Sequence, residues 1–285
     1  MIVDFHTHTF PEKISLRTAD KLAHMAMSKY FIDPNVSSLG KAREQAGIDL
    51  CINLPVMTRP DQVVSVNDSL IRQMEDLRTM GIMTFGGMHP DYDSYGTELK
   101  RLKEHGIKGI KLHPAYQETD LNDIKFKRII AAAEENDMIV ITHAGLDIGI
   151  LHHNFADPDM VLDIVKDIAP SKFVLAHMGG WQGWDDVEKY LAGAPVYLDT
   201  AFSLGEITPF EGYEDKLQFR ENLSEENFVR LCRKHGFDKI LFATDSPWAD
   251  MKKYVDFIKA ADLSDEEKDM IFGGNAAGIL GISNK

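Results

Sequence analysis

Short apolar runs recur along the chain, with polar segments of helical periodicity between them. The runs lie near residues 2–5, 50–54, 83–87, 107–112, 138–142, 173–176, 196–198 and 240–243, and most are rich in valine and isoleucine. They are apolar throughout rather than alternating, which reads as strands buried on both faces, the habit of a parallel sheet. The segments between them, at 63–80, 97–105, 124–136, 158–168, 186–191, 225–235 and 252–260, carry apolar residues at 3.6-residue spacing and are expected to be helices. Punctuation agrees with this. Ser224-Glu225-Glu226-Asn227 offers an N-cap and an acidic first turn, and Ser264-Asp265-Glu266-Glu267 has the form of a capping box. Gly47, Gly81, Gly106 and Gly236 follow helical segments where a left-handed C-cap is wanted. Eight strand–helix repeats predict an α/β fold, a parallel (β/α)8 TIM barrel, in one domain over residues 1–285. Two long segments without clear regular structure, Thr9–Asn35 and Ala201–Leu223, are expected to cover the barrel mouth and shape a pocket.

Several of these runs end in a residue able to bind a metal. The first leads into Asp4-Phe5-His6-Thr7-His8. Side chains alternate along a strand and rise about 3.3 Å per residue, so His6 and His8 share a face roughly 6.6 Å apart, close enough to reach one ion. Three later runs end at His143, His177 and Asp245. A (β/α)8 barrel carries its site at the C-terminal ends of its strands, which is where these residues fall.

Composition narrows the function. The 285 residues carry a net charge of −14. No lysine and arginine block interrupts it, which argues against nucleic acid or an anionic membrane as partner and favours a small-molecule substrate. The two cysteines, Cys51 and Cys232, lie in apolar contexts and fit free thiols of a reducing compartment, so the expected location is cytoplasmic. The first residues lack a basic and apolar leader pattern, and no stretch of 18 apolar residues occurs.

The order of motifs resembles the amidohydrolase superfamily, in particular the family joining small metal-dependent hydrolases with aminocarboxymuconate-semialdehyde and resorcylate-type decarboxylases. The motifs are Asp4–His8, Gly109-Ile110-Lys111-Leu112-His113-Pro114, Thr142-His143-Ala144-Gly145, Ala176-His177-Met178-Gly179-Gly180, Ala243-Thr244-Asp245-Ser246-Pro247 and Gly274-Asn275-Ala276-Ala277. The resemblance implies that His6, His8, His143 and Asp245 bind one divalent metal, usually zinc, with His177 beside it. Donor chemistry agrees, since three imidazoles and a carboxylate suit Zn²⁺ and an ion of this kind lowers the pKa of bound water to about 7. Asp245 is then the expected proton shuttle and His177 a donor to a developing oxyanion or an orienter of substrate.

Lys111 has two functional readings. Carboxylated, it would bridge two metals, as resemblance to the dihydroorotase branch suggests. Unmodified, its ammonium would bind a substrate carboxylate, and this is the expectation adopted. A snorkelling, purely structural lysine is the bland alternative. His89 and His113 sit at expected strand ends as pocket-lining or turn residues. His152 and His153 are expected at the surface, and His24, His105 and His235 in structural roles. Arg59 follows the second strand and could meet an anion or simply lead a helix on the surface. Trp181 and Trp184 are candidate aromatic walls.

The expected activity is hydrolysis of a small cyclic amide, lactone or ester. The alternative is non-oxidative decarboxylation of a small unsaturated or aromatic acid, and a non-catalytic metal-binding protein is the third reading. The preference for hydrolysis rests on chain length and on the wording Ala243–Trp248. A homodimer is the assembly considered, with a partner copy contributing to the mouth loops.

Overall fold

The computed structural model describes residues 1–283. Nine strands appear in chain order: β1 (Val3–Thr7), β2 (Leu50–Asn53), β3 (Ile82–Thr84), β4 (Gly86–Gly87), β5 (Gly109–Leu112), β6 (Ile139–Thr142), β7 (Phe173–Leu175), β8 (Tyr197–Asp199) and β9 (Ile240–Leu241). They match the eight apolar runs, except that the third is broken into β3 and β4. The break falls at Phe85, whose carbonyl accepts the Thr84 hydroxyl at 3.0 Å. Farther along, Asn67 accepts the Gly87 N–H through Oδ1 at 3.0 Å and donates to the Gly87 carbonyl through Nδ2 at 3.1 Å, anchoring the end of β4. Glycine lets neighbouring side chains pack onto the strand here, since a Cβ at Gly86 would lie 2.7 Å from the end of Leu102 and one at Gly87 2.5 Å from the end of Met57.

Packing resolves two compact units. One comprises residues 1–53, 80–82 and 200 onward. Here β1 and β2 pair in parallel, with Val3 opposite Leu50 and Asp4 opposite Cys51, and the Gly81 carbonyl accepts the Cys51 N–H at 3.0 Å. The far end of the chain returns to β1, since the Phe5 N–H donates to the Phe242 carbonyl at 2.9 Å. Val3, Phe5, Cys51, Ile52, Ile240 and Phe242 have no solvent exposure. Burial leaves both thiols, Cys51 here and Cys232 on the helix Glu225–His235, unpaired and pushes their pKa values up.

The second unit comprises residues 54–79 and 83–199. Its strands run in the order β4-β5-β6-β7-β8, every neighbouring pair parallel. The register sets Gly87 beside Lys111, Lys111 beside Ile141 and Ile141 beside Val174. Leu112 faces Thr142 in the same ladder. Residues of neighbouring strands in register share a face, so the line that passes through Lys111 continues, two residues on, to His113 and His143.

The expected helices form close to their sequence limits. Those at Gln62–Thr79, Tyr95–Glu104, Ile124–Glu135, Pro158–Asp167, Glu225–His235 and Met251–Ala260 bury their apolar stripes. Ser224 caps one by accepting the Asn227 N–H, and Ser264 with Glu267 forms the full capping box. The segment 184–191 is a short α turn followed by a π turn rather than one regular helix. Gly236 leaves its helix at φ 109° and ψ 124°, outside the left-handed well, whereas Gly47 closes its helix in that well. The segment Thr9–Asn35 is not an irregular loop: it contains a helix, Ser15–Ala26. Its buried stripe is Ser15, Ala19 and Ala23. Ala201–Leu223 is irregular as expected, tied by bridges Leu204–Leu223 and Glu206–Glu221. Among the described residues, no helix is long and apolar enough to cross a membrane.

Candidate metal centre and its neighbours

In the first unit the strand alternation of β1 puts His6 and His8 on one side, and the chain end supplies Asp245 to the same place. His6 Nε2 and His8 Nε2 are 3.1 Å apart. Asp245 Oδ1 lies 3.1 Å from the His8 nitrogen and 3.5 Å from the His6 nitrogen. His6 is 1% and Asp245 8% exposed. Ligand atoms about 2.1 Å from a shared ion lie about 3.0–3.4 Å apart at octahedral or tetrahedral angles, so the three atoms already have the spacing of a coordination shell. The donor set of two imidazole nitrogens and a carboxylate oxygen fits a divalent cation.

Backbone hydrogen bonds hold this arrangement. The Asp245 N–H donates to the His6 carbonyl at 2.8 Å, and the His8 N–H to the Ser246 carbonyl at 2.7 Å. Asp245 sits at φ 67°, an uncommon left-handed conformation for a residue with a side chain, which Asp tolerates better than most. Asp4, unassigned in the sequence reading, is the hidden support. Its Oδ1 accepts the Thr244 N–H at 2.9 Å and the His6 N–H at 3.2 Å, and Oδ2 accepts the Thr244 hydroxyl at 2.6 Å. Complete burial pushes the Asp4 carboxyl up to about 7 despite these donors, with a smaller push from the Asp245 carboxylate. The signal available in sequence was its place two residues before His6, on the same face of the strand.

The second unit gathers the other candidates. His143 Nδ1 and His177 Nε2 are 3.0 Å apart, and His143 Nε2 lies 3.1 Å from the Leu146 carbonyl oxygen. A carbonyl only accepts, so a neutral His143 ring carries its proton on Nε2 and has its lone pair on Nδ1, the arrangement in which a histidine is oriented for metal ligation. His177 is held on its main chain, where its N–H donates to Asp199 Oδ1 at 2.9 Å and its carbonyl accepts the Trp184 indole N–H at 3.0 Å. His177 and Met178 both have positive φ, 60° and 52°. Strain of this kind persists where surrounding structure over-determines it, and functional sites collect it.

His113 stacks on His143, with ring centroids 4.4 Å apart and planes 21° from parallel. Asp147, which the sequence reading missed, lies 3.6 Å from His113 Nε2 through Oδ2. His113, His143 and Asp147 form a second group with ligand-type atoms in mutual reach. Lys111 is 1% exposed on β5, on the face it shares with His113.

The remaining candidates resolve individually. His89 is buried, with its Nδ1 accepting the Asp91 N–H at 3.1 Å, and burial pulls its pKa down. His152 and His153 are exposed, and His153 pairs with Asp120 at 2.7 Å. His24 and His105 are exposed on helix surfaces, and His235 is buried at a helix end. Arg59 is exposed and pairs with Asp61 at 3.0 Å. Trp181 is buried, and its backbone approaches Gly145 so closely that a Cβ there would be 2.1 Å from the Trp181 nitrogen. A cavity of about 300 Å³ in the first unit is walled by Phe31 and Phe202, from the segments 9–35 and 201–223, and by Trp248, Tyr254 and Phe257. None of His6, His8 or Asp245 lines it.

The family model for amidohydrolases matches residues 3–282, and the chain belongs to that family. Among proteins of curated function, none matches by sequence. Solved structures share the fold along its whole length. The chain is 14% identical to 5-carboxyvanillate decarboxylase LigW from Sphingomonas paucimobilis, at a TM-score of 0.69 with 99% of each chain covered. A 5-carboxyvanillate decarboxylase from Novosphingobium aromaticivorans, complexed with manganese and 4-hydroxy-3-methoxy-5-nitrobenzoic acid, is 15% identical at 0.69, with 99% of this chain and 96% of that one covered. An uncharacterised TIM-barrel protein, Bb4693 from Bordetella bronchiseptica, is 14% identical at 0.70, with 98% of each covered. The fold class is therefore the parallel (β/α)8 barrel expected from the sequence.

Proposed function

We propose that the protein is a metal-dependent, non-oxidative decarboxylase of a small aromatic acid, working as a single domain. The observation that carries the metal is the spacing of His6 Nε2, His8 Nε2 and Asp245 Oδ1, each 3.1–3.5 Å from the other two. These residues would hold one divalent ion, and His143 is proposed as a metal donor through Nδ1. Mn²⁺ and Zn²⁺ both fit a mixed imidazole and carboxylate set, and manganese is the ion bound in the Novosphingobium relative. When bound, such an ion supplies Lewis-acid polarisation of a coordinated oxygen.

The chain's own residues supply the rest. A carboxylate leaving as carbon dioxide must be replaced on the ring by a proton, so the site needs an acid at hydrogen-bond reach of the reacting carbon. Asp245 is proposed to carry and deliver that proton. His177 is proposed to orient the substrate through its ring, and Lys111 to pair its unmodified ammonium with a substrate carboxylate.

The comparisons support this choice over hydrolysis. The expectation of hydrolysis leaned on a chain too short for the decarboxylase branch, and that argument fails because the chain spans 99% of LigW. Aromatic-acid decarboxylases recur among the structures it resembles. Hydrolysis of a lactone or cyclic amide stays as the second reading because the family model itself is that of the amidohydrolases. Incubating the metal-loaded protein with hydroxylated benzoates, lactones and cyclic amides separates the two. Carbon dioxide release from a benzoate supports the proposal; turnover confined to lactones or amides rejects it.

A further inference from the structure

Two histidines on neighbouring strands, His113 after β5 and His143 after β6, continue the register that sets Leu112 beside Thr142, and their rings form a cross-strand stack 4.4 Å between centroids. The His113 ring has a defined neighbour at each nitrogen. Its Nδ1 accepts the Tyr116 N–H at 3.3 Å. An accepting Nδ1 leaves the proton of a neutral ring on Nε2, and that atom faces Asp147 Oδ2 at 3.6 Å. Asp147 in turn is fixed by the Gly149 N–H, which donates to Oδ1 at 2.8 Å.

The main chain under His113 is pinned as well. Gln117 accepts the His113 N–H at 2.9 Å and donates to the carbonyls of Met57 at 2.8 Å and Met88 at 2.6 Å. One buried amide thus ties the ends of three strand-following loops. His113 therefore touches two of the groups around His143, the face of its ring and, through Asp147, the turn that presents the Leu146 carbonyl to its Nε2, while His177 Nε2 lies 3.0 Å from its Nδ1.

We propose that His113 is a positioning residue, whose flat ring holds the plane of His143 so that Nε2 stays on the Leu146 carbonyl and Nδ1 is the nitrogen offered to a metal ion. The proposal rests on the reading of His143 as a metal donor. The His113 tautomer argues that its role is not ligation: an Nε2 ligand would need a protonated Nδ1, and the Tyr116 N–H already points at that atom. Stacking alone needs a flat ring, so phenylalanine should substitute and a non-planar side chain should not.

The test uses full-length protein labelled with [¹⁵N]histidine and stripped of metal, read by long-range ¹H–¹⁵N spectra, with His143→Gln assigning the signals. Wild type and His113→Phe should show His143 protonated at Nε2 alone, while His113→Ala and His113→Leu should show averaging between tautomers. Titration with Zn²⁺ should show affinity reduced about 10- to 100-fold in the alanine and leucine variants, the usual scale for groups supporting a ligand, and within about threefold of wild type in His113→Phe. A single His143 tautomer in both His113→Ala and His113→Leu would overturn the proposal. So would a phenylalanine variant as weak as alanine, or loss of a second bound ion in His113→Phe, since either makes the His113 nitrogens essential. A wild-type chain that binds no metal would remove the metal reading while the tautomer spectra still decide this one.

Discussion

His8 Nε2 and Asp245 Oδ1 stand 3.1 Å apart although 237 positions separate them in the chain, because β1 and the segment after β9 exchange backbone hydrogen bonds on both sides of the pair. The Asp245 N–H reaches the His6 carbonyl and the His8 N–H reaches the Ser246 carbonyl, so the ligand spacing is set by main chain rather than by flexible side chains. Such a site is preorganised for an ion.

Binding of metal should stabilise the fold. An ion at 100 times its dissociation constant contributes about 2.7 kcal/mol if the unfolded chain does not bind it. Thermal unfolding with and without added Mn²⁺ or Zn²⁺ should show a higher midpoint with metal in the wild type and no shift in Asp245→Ala.

Acid should strip the ion. Histidine ligands must be unprotonated to bind, so protons compete with the metal and occupancy falls as pH drops. Dialysis at a series of pH values, followed by elemental analysis, should give full content near pH 8 and a steep decline on the acid side; constant content down to about pH 4 would be incompatible with imidazole ligands.

Asp4 should matter to stability even though it is not proposed to touch substrate or metal. Alanine at this position removes three hydrogen bonds and leaves the buried Thr244 N–H and hydroxyl short of an acceptor. The expected cost is about 3 kcal/mol, with Asp4→Asn costing about 1 kcal/mol because it keeps the shape and most of the bonds. Denaturant unfolding measures both.

Gly145 should be irreplaceable. It lies at φ 84°, and a Cβ would come within 2.1 Å of the Trp181 nitrogen and 2.5 Å of the Gly180 carbonyl carbon. Gly145→Ala should cost at least about 3 kcal/mol or abolish folding, through backbone strain and displacement of the turn beside His143.

Lys111 should carry no added carboxyl group. Its replacement by methionine, similar in length and apolar, should leave the fold intact and reduce turnover by about 100-fold or more, the scale of a lost charge-assisted contact to substrate. A crystal structure showing a carboxylated Lys111 between two ions would reverse this assignment.

Much of the fold was legible because its signals are local. Continuous apolar runs, helical periodicity and caps such as Ser264 with Glu267 act over a few residues, and most formed close to where sequence placed them, the third run, the segment 186–191 and the Gly236 cap excepted. The helix Ser15–Ala26 was not read from the sequence, although its polar and apolar residues segregate by face. The third run is interrupted at Phe85, where the Thr84 hydroxyl donates to the Phe85 carbonyl, and the apolar pattern of the run does not mark that position.

The candidate site divides in the same way. His6, His8 and Asp245 were visible as strand-end ligands, and the structure brings those three together. The roles of Asp4, Asp147 and Gln117 were hidden, because each depends on a partner that only folding brings near: Thr244, His113 and the carbonyls of Met57 and Met88. Choosing between decarboxylation and hydrolysis was also beyond the sequence, since both chemistries draw on the same ligands.

The central claim is that His6, His8 and Asp245 form a metal centre, and elemental analysis of purified protein tests it most directly. Wild-type protein should carry at least one divalent ion per chain, and the double variant His6→Ala/His8→Ala, folded by circular dichroism, should lose it. Full metal content in that folded double variant would contradict the account.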